Sequence, residues 1–265
     1  MNISGQEPDT FAIKEYENKM ALLFDQMLKN ADNNEKDAIN SKIINLFTEA
    51  LNVESSFEYS FNYLKHIGKV SSDDKKIRIY TWNVPYNDGT HRYCGFIQFR
   101  PSKNSKCVIY RLIDKSENIA DPEKSSLTPE NWYGALYYEI VTTKYKGETW
   151  YTLLGFDFNN IFSSKKIIDI LYFDSYEKPF WGKPVFYYNN HLLKRVVFEF
   201  SARASMSLRY NRNKDMIIYD HLSPSRPSYE GKYQFYGPDF SYDGFEFKDG
   251  LWKEVKDLDV RNPMY

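Results

Sequence analysis

The sequence predicts a mainly β fold, α+β by count. An N-terminal antiparallel helical hairpin precedes an antiparallel β-meander. Three observations carry this. Apolar residues recur at helical spacing before residue 52 and at every second position after residue 76. Hairpin-type turn pairs separate the later segments, and no helical stretch lies between them, which excludes βαβ units. Aromatic residues make up 18% of the chain, with 23 Tyr and 19 Phe, a composition suited to pleated, half-buried surfaces.

The helices come first. Over residues 11–31, Tyr16, Met20, Leu23, Phe24, Met27, Leu28 and Ala31 share one face, after start signals at Pro8 and Asp9-Thr10. The Asn30–Asn34 segment breaks the pattern. A second helix is predicted over Glu35–Leu51, with Ile39, Ile43, Leu46, Phe47, Ala50 and Leu51 on one face. The apolar stripe is too wide to stay in water. It must dock on the β domain or on a partner protein. The expected division is a hairpin at 1–54 and a β domain at 55–265, with 52–75 transitional.

The strands follow in order. Lys76–Val84 leads through a turn carrying Asn87-Asp88-Gly89 into Arg92–Arg100, and then Lys106–Asp114. Lys115–Asn131 is polar and reads as a long loop. Leu136–Tyr145 and Thr149–Phe156 flank Lys146-Gly147-Glu148. Lys165–Asp174 stands next. Pro184–Tyr188 and Leu192–Phe200 meet at Asn189-Asn190, which tolerates left-handed backbone. Ser205–Tyr210 pairs with Met216–His221. Asp243–Phe247 pairs with Leu251–Lys256 around Asp249-Gly250. No repeat period is visible, so a sandwich, a barrel and a propeller-like stack all remain open.

Composition narrows the function classes. Lys plus Arg number 35 and Asp plus Glu 36, a net charge of −1, so nucleic acid is not an expected partner. No apolar run approaches the roughly 18 residues of a membrane helix. Ile167–Phe173 is interrupted by Asp169, and the mean hydropathy is −0.63, so a soluble chain without a membrane span is expected. The start MNISGQEPDTF has neither a basic nor an apolar leader region. That fits a cytoplasmic protein or the mature end of an exported one. Facing residues of the 92–100 and 106–114 strands should sum to about 206 in number, putting Cys94 opposite Leu112 and Cys107 opposite Phe99. That register argues against a disulfide between them within the hairpin.

Familiar catalytic and nucleotide-binding motifs are absent, and no cofactor is implied. Asp239-x-Ser241-x-Asp243-Gly244 matches the first half of a calcium loop, with Asp239, Ser241 and Asp243 as candidate metal ligands. Position 12 of such a loop would be Gly250, which has no carboxylate. The bland alternative is a turn ordered by its own side chains, with Gly244 supplying a positive φ. Asp220-His221 ends a strand before Leu222-Ser223-Pro224. With Asp239 they form a candidate acid/base set. Trp82, Asn83, Asn87 and His91 make a polar loop beside an aromatic, a composition suited to a glycan or small-ligand pocket.

Four runs together resemble a known family: IRIYTWN (77–83), LLGFDFNN with KKIIDIL (153–171), FEFSARASMSLRYN with MIIYDHLSP (198–224), and YGPDFSYDGFEFKDGLW (236–252). The family is one of uncharacterised small exported proteins of Gram-negative bacteria. The resemblance spans roughly Ser71 to Asn262. It implies a periplasmic or envelope location and brings no activity, cofactor or catalytic residue. The expected function is a non-enzymatic, envelope-associated binding module for a small-molecule, glycan or protein partner. The alternative is a carboxylate/His-based hydrolase acting on glycans.

Overall fold

The computed structural model describes residues 7–259; the MNISGQ start lies outside them. Helix α1 (Glu7–Lys29) begins ahead of the expected 11, and α2 (Asn33–Asn52) follows a short turn. Asp32 caps α2, its Oδ1 accepting from Asn34 N at 2.7 Å and Glu35 N at 3.0 Å. Met20, Phe24 and Met27 of α1 and Ile43, Phe47 and Leu51 of α2 are buried, while Leu23 is half-buried.

The first sheet is a plain meander of β1 (Gly68–Ser71), β2 (Ile77–Pro85), β3 (His91–Phe99) and β4 (Val108–Ile113). Strands β2 and β3 are buried on both faces. Tyr80, Trp82, Val84, Cys94 and Phe96 pack with the helices. Ile77, Ile79, Tyr93, Ile97 and Phe99 point the other way, into a core shared with the second sheet. That sheet combines β5 (Leu136–Tyr145), β6 (Glu148–Asp157) and β7 (Ser163–Phe173), with β8 (Pro179–Trp181) paired to β7. The chain then adds β9 (Phe186–Tyr188) and β10 (His191–Leu193) to a third sheet and returns with β11 (Val196–Ser201) to the edge of the second. Strands β12 (Leu208–Asn211), β13 (Met216–Pro224), β14 (Tyr236–Lys248) and β15 (Leu251–Val255) complete the third sheet, in the order β10-β9-β15-β14-β13-β12. A third core of Trp150, Leu154, Ile168, Ile170, Phe198, Ile217 and Phe245 joins the second sheet to the third.

The result is a stack of open sheets with the helical hairpin on one outer face. Among the described residues no sheet closes into a barrel, and the packing is sandwich-like. The turn residues behave as their chemistry requires. Lys146-Gly147, Asn189-Asn190 and Asp249-Gly250 all have positive φ at both positions, the backbone of a tight hairpin. The apolar strand centres Ile79, Ile97, Val141, Leu153, Ile168, Ile170 and Leu208 are buried. Ile109 and Val197 are only half-buried; on β11 burial alternates, with Val196 and Phe198 taking the buried face. Among the described residues no helix is long and apolar enough to cross a membrane.

Several expectations are corrected. The 192–200 segment is two strands in different sheets, because the chain crosses over at Lys194-Arg195, where Arg195 buries its charge against Asp169. Strand β15 pairs with β9 in parallel, where an antiparallel sheet was expected. The β3–β4 register is offset by one: Cys94 faces Ile113 and Phe99 faces Val108, with Cys107 in the loop. Both cysteines are free. The Asp239–Gly244 segment is not a turn between strands but lies inside β14. Gly244 has no positive φ. It is needed because a Cβ there would meet Ile217 O at 2.6 Å.

Candidate functional site

The site grows from an irregularity between β13 and β14. Asp220 pairs with Tyr242 and Leu222 with Pro238. One residue of β13, His221, therefore faces three of β14: Asp239, Phe240 and Ser241. The extra residues loop outward, with Phe240 at φ 72 and 95% exposed. Asp239 Oδ1 accepts from Ser241 N at 3.1 Å and Ser241 Oγ at 2.7 Å, which orders the bulge. Burial works against the Asp239 carboxylate, but the Ser241 hydrogen bonds outweigh it and hold its pKa below the usual range.

Strand alternation separates Asp220 from His221. Tyr219 and His221 share one face, and Asp220 takes the other. There Asp220 Oδ2 accepts from Ser207 N at 2.7 Å, a structural role. His221 instead donates from Nδ1 to Asp243 Oδ2 at 2.7 Å, with its Nε2 3.9 Å from Asp239. The His221 side chain is 42% exposed and that of Asp243 only 5%. Asp243 Oδ1 is held by Asp257 N at 3.0 Å. Of the candidate metal ligands, Asp239 and Ser241 bind each other, and Asp243 is committed to His221 and Asp257. Among the described residues no group of three or more His, Cys, Asp or Glu side chains is placed to hold a metal ion.

His221 and Asp243 open onto a cleft of about 570 Å³ between the second and third sheets. Its aromatic floor is Phe198, Tyr219 and Tyr188, with Phe198 and Tyr219 ring centres 4.5 Å apart. Tyr233 and Tyr236 stand on the β13–β14 side. Glu254 accepts from Asn189 N at 3.2 Å and lies 3.7 Å from Lys256 Nζ. Glu123 reaches in from the 115–131 loop. Its Oε1 accepts from Val197 N at 3.2 Å, and burial raises its pKa. Asp121 and Glu199 add further carboxylates. Burial also pushes the Tyr188 hydroxyl up to about 12.

Tyr219 is the odd member. It is 3% exposed, and its hydroxyl is buried beside the Glu254 carboxylate without meeting it in full hydrogen-bonding geometry. Burial first, then nearby Tyr188, Glu254 and Asp243, push its pKa upward. These neighbours came from segments far apart in sequence, read as plain strands, turns or loop. Nothing in the local pattern marked Tyr219, Glu123 or Glu254.

The other candidate loop does not form one pocket. Trp82 is buried, stacks on Phe47, and donates from Nε1 to Asn40 Oδ1 at 2.7 Å. Asn87 ties the β2–β3 turn to the helices, donating to Ala31 O at 2.6 Å and accepting from Lys36 Nζ at 3.1 Å. Asn83 Nδ2 lies 2.8 Å from His91 Nδ1. His91 stacks on Phe158 and borders a cleft of about 280 Å³ with Arg92 and Asp114; burial lowers its pKa.

No protein-family model matches the chain, and neither a curated protein nor a solved structure matches it.

Proposed function

We propose that this chain is a non-enzymatic binding module whose small polar or glycan ligand occupies the cleft between the second and third sheets. The observation that supports this most is the Tyr219 hydroxyl, buried at the cleft floor without a partner in full hydrogen-bonding geometry. A buried polar group left unpaired costs about 1–3 kcal/mol, so a ligand that reaches it gains that amount back. Aromatic walls with a few polar groups are the usual make-up of such sites. An envelope location rests on the resemblance of the four sequence runs.

A second reading is a hydrolase, favoured by one observation. His221 is open to the cleft and oriented by buried Asp243 at 2.7 Å, the arrangement of a general base and its positioning carboxylate. The two readings separate in one experiment. Panels of neutral, anionic and cationic small molecules are screened by thermal shift against the parent and Leu222→Trp, which fills the cleft. Binding predicts that at least one class raises the parent Tm and not the variant's. If no class does so, the binding reading fails. Turnover of chromogenic glycosides that is lost in His221→Gln would replace it with the hydrolase.

A further inference from the structure

The charge of the cleft narrows the ligand class. Five of its charged lining residues are acidic, and Lys256 is the one fixed cation among them. Lys256 lies 3.7 Å from Glu254 and also donates to Asn189 Oδ1 at 3.4 Å. The neighbouring Arg195 is paired with Asp169, its Nε donating at 2.6 Å, and its charge offsets only part of the burial of Glu123. Asp121 pairs with Lys124 at 3.1 Å on the rim. That leaves the inner carboxylates with more negative charge than the protein returns. They share the space with the rings of Tyr188 and Tyr219 and with a hydroxyl that lacks a partner in full hydrogen-bonding geometry.

An anionic ligand would meet repulsion from these carboxylates. A neutral sugar would stack on the tyrosines but leave the charge uncompensated. A quaternary ammonium, which has no N–H, satisfies the charge and the aromatic faces; a primary ammonium satisfies all three features at once. Its N–H groups donate to carboxylates and to the Tyr219 oxygen, its charge offsets the acidic excess, and its alkyl carbons lie against aromatic faces. We infer that the cleft is a site for an organic cation, a primary or quaternary amine, held by Glu254, Glu123 and the buried Tyr219 hydroxyl on an aromatic floor. This rests on the binding reading above and specifies its ligand class.

The test uses isothermal titration of the full chain with spermidine and with choline. Cellotetraose is the neutral control and citrate the anionic one. At least one ammonium probe should bind, and binding should weaken as salt rises, because charge pairs are screened. Glu254→Gln should weaken it about tenfold, and the near-isosteric Tyr219→Phe should weaken a primary amine more than choline. Three results would overturn the inference. Cellotetraose or citrate could bind in a Leu222→Trp-sensitive way while the amines do not; the cleft would then still be a binding site, for another class. Amine binding could be indifferent to both Glu254→Gln and Tyr219→Phe, placing it elsewhere on the surface. No probe of any class could bind, and then the binding reading falls with the inference.

Discussion

Asp169 lies mid-strand in β7 with its side chain 1% exposed, and it accepts from Arg195 Nε. Arg195 also donates from Nη1 to Pro122 O and covers the Tyr133 ring at 5.4 Å. This pair pins the 115–131 loop to the sheet and so sets where Glu123 enters the cleft. Arg195→Met strands a buried carboxylate and should cost about 3–5 kcal/mol in denaturant unfolding. The double variant with Asp169→Leu should recover most of that loss. If the single variant unfolds like the parent, the pair carries no such weight. Glu123 gives a pH signature. Burial raises its pKa, so the folded state disfavours its charge. Its contribution to stability is full below the ordinary carboxylate pKa and is lost as pH rises through the raised one. Glu123→Gln should therefore melt above the parent at neutral pH, with the gap closing on acidification. A parent that stays more stable at neutral pH contradicts this. At this scale the sequence was a partial guide. Asp220-His221 drew attention as neighbours, yet strand geometry sends neighbours to opposite faces. The true partner, Asp243, is brought close only by strand pairing.

Hairpin turns were the most legible elements, because the left-handed backbone they need narrows residue choice to Gly, Asn and Asp. Asp249-Gly250 and Asn189-Asn190 are read directly from that chemistry. The bulge in β14 was not legible. Its Asp, Ser and Gly residues also suit an ordinary turn, and only pairing with β13 reveals a strand with extra residues. The crossover at Lys194-Arg195 was hidden likewise, since apolar residues flank it on both sides. The bulge gives a paired prediction. Phe240 is 95% exposed, so Phe240→Ala should leave stability within about 0.5 kcal/mol of the parent. Gly244→Ala drives a Cβ toward the Ile217 carbonyl at 2.6 Å, a rigid backbone neighbour, and should cost about 1–3 kcal/mol. Equal melting temperatures for the two variants would mean that β13 and β14 can separate there without cost.

Periodicity distinguished helices from strands but could not order the layers, because β2 and β3 bury both faces and carry no polar side to mark solvent. The order has a consequence for the helical hairpin. Phe47 stacks on Trp82 with ring centres 5.5 Å apart, and it meets Tyr80 at 5.2 Å and Phe96 at 5.5 Å. Asn40 takes the Trp82 indole N–H, and Lys36 donates to Pro85 O at 2.8 Å. The hairpin is thus one wall of a core whose other wall is the first sheet. Phe47→Ala should cost about 3–5 kcal/mol. A chain beginning at Ser55 would put Tyr80, Trp82, Val84 and Phe96 in water and leave the Trp82 N–H without Asn40. An exposed apolar sheet face of that kind is an aggregation surface. The truncated chain should lose its single cooperative melt or precipitate, while the full chain unfolds in one transition by circular dichroism and by tryptophan fluorescence alike. If the chain from Ser55 keeps the full melting temperature, the hairpin is an appendage. Its apolar face would then be free to dock a partner instead of the sheet.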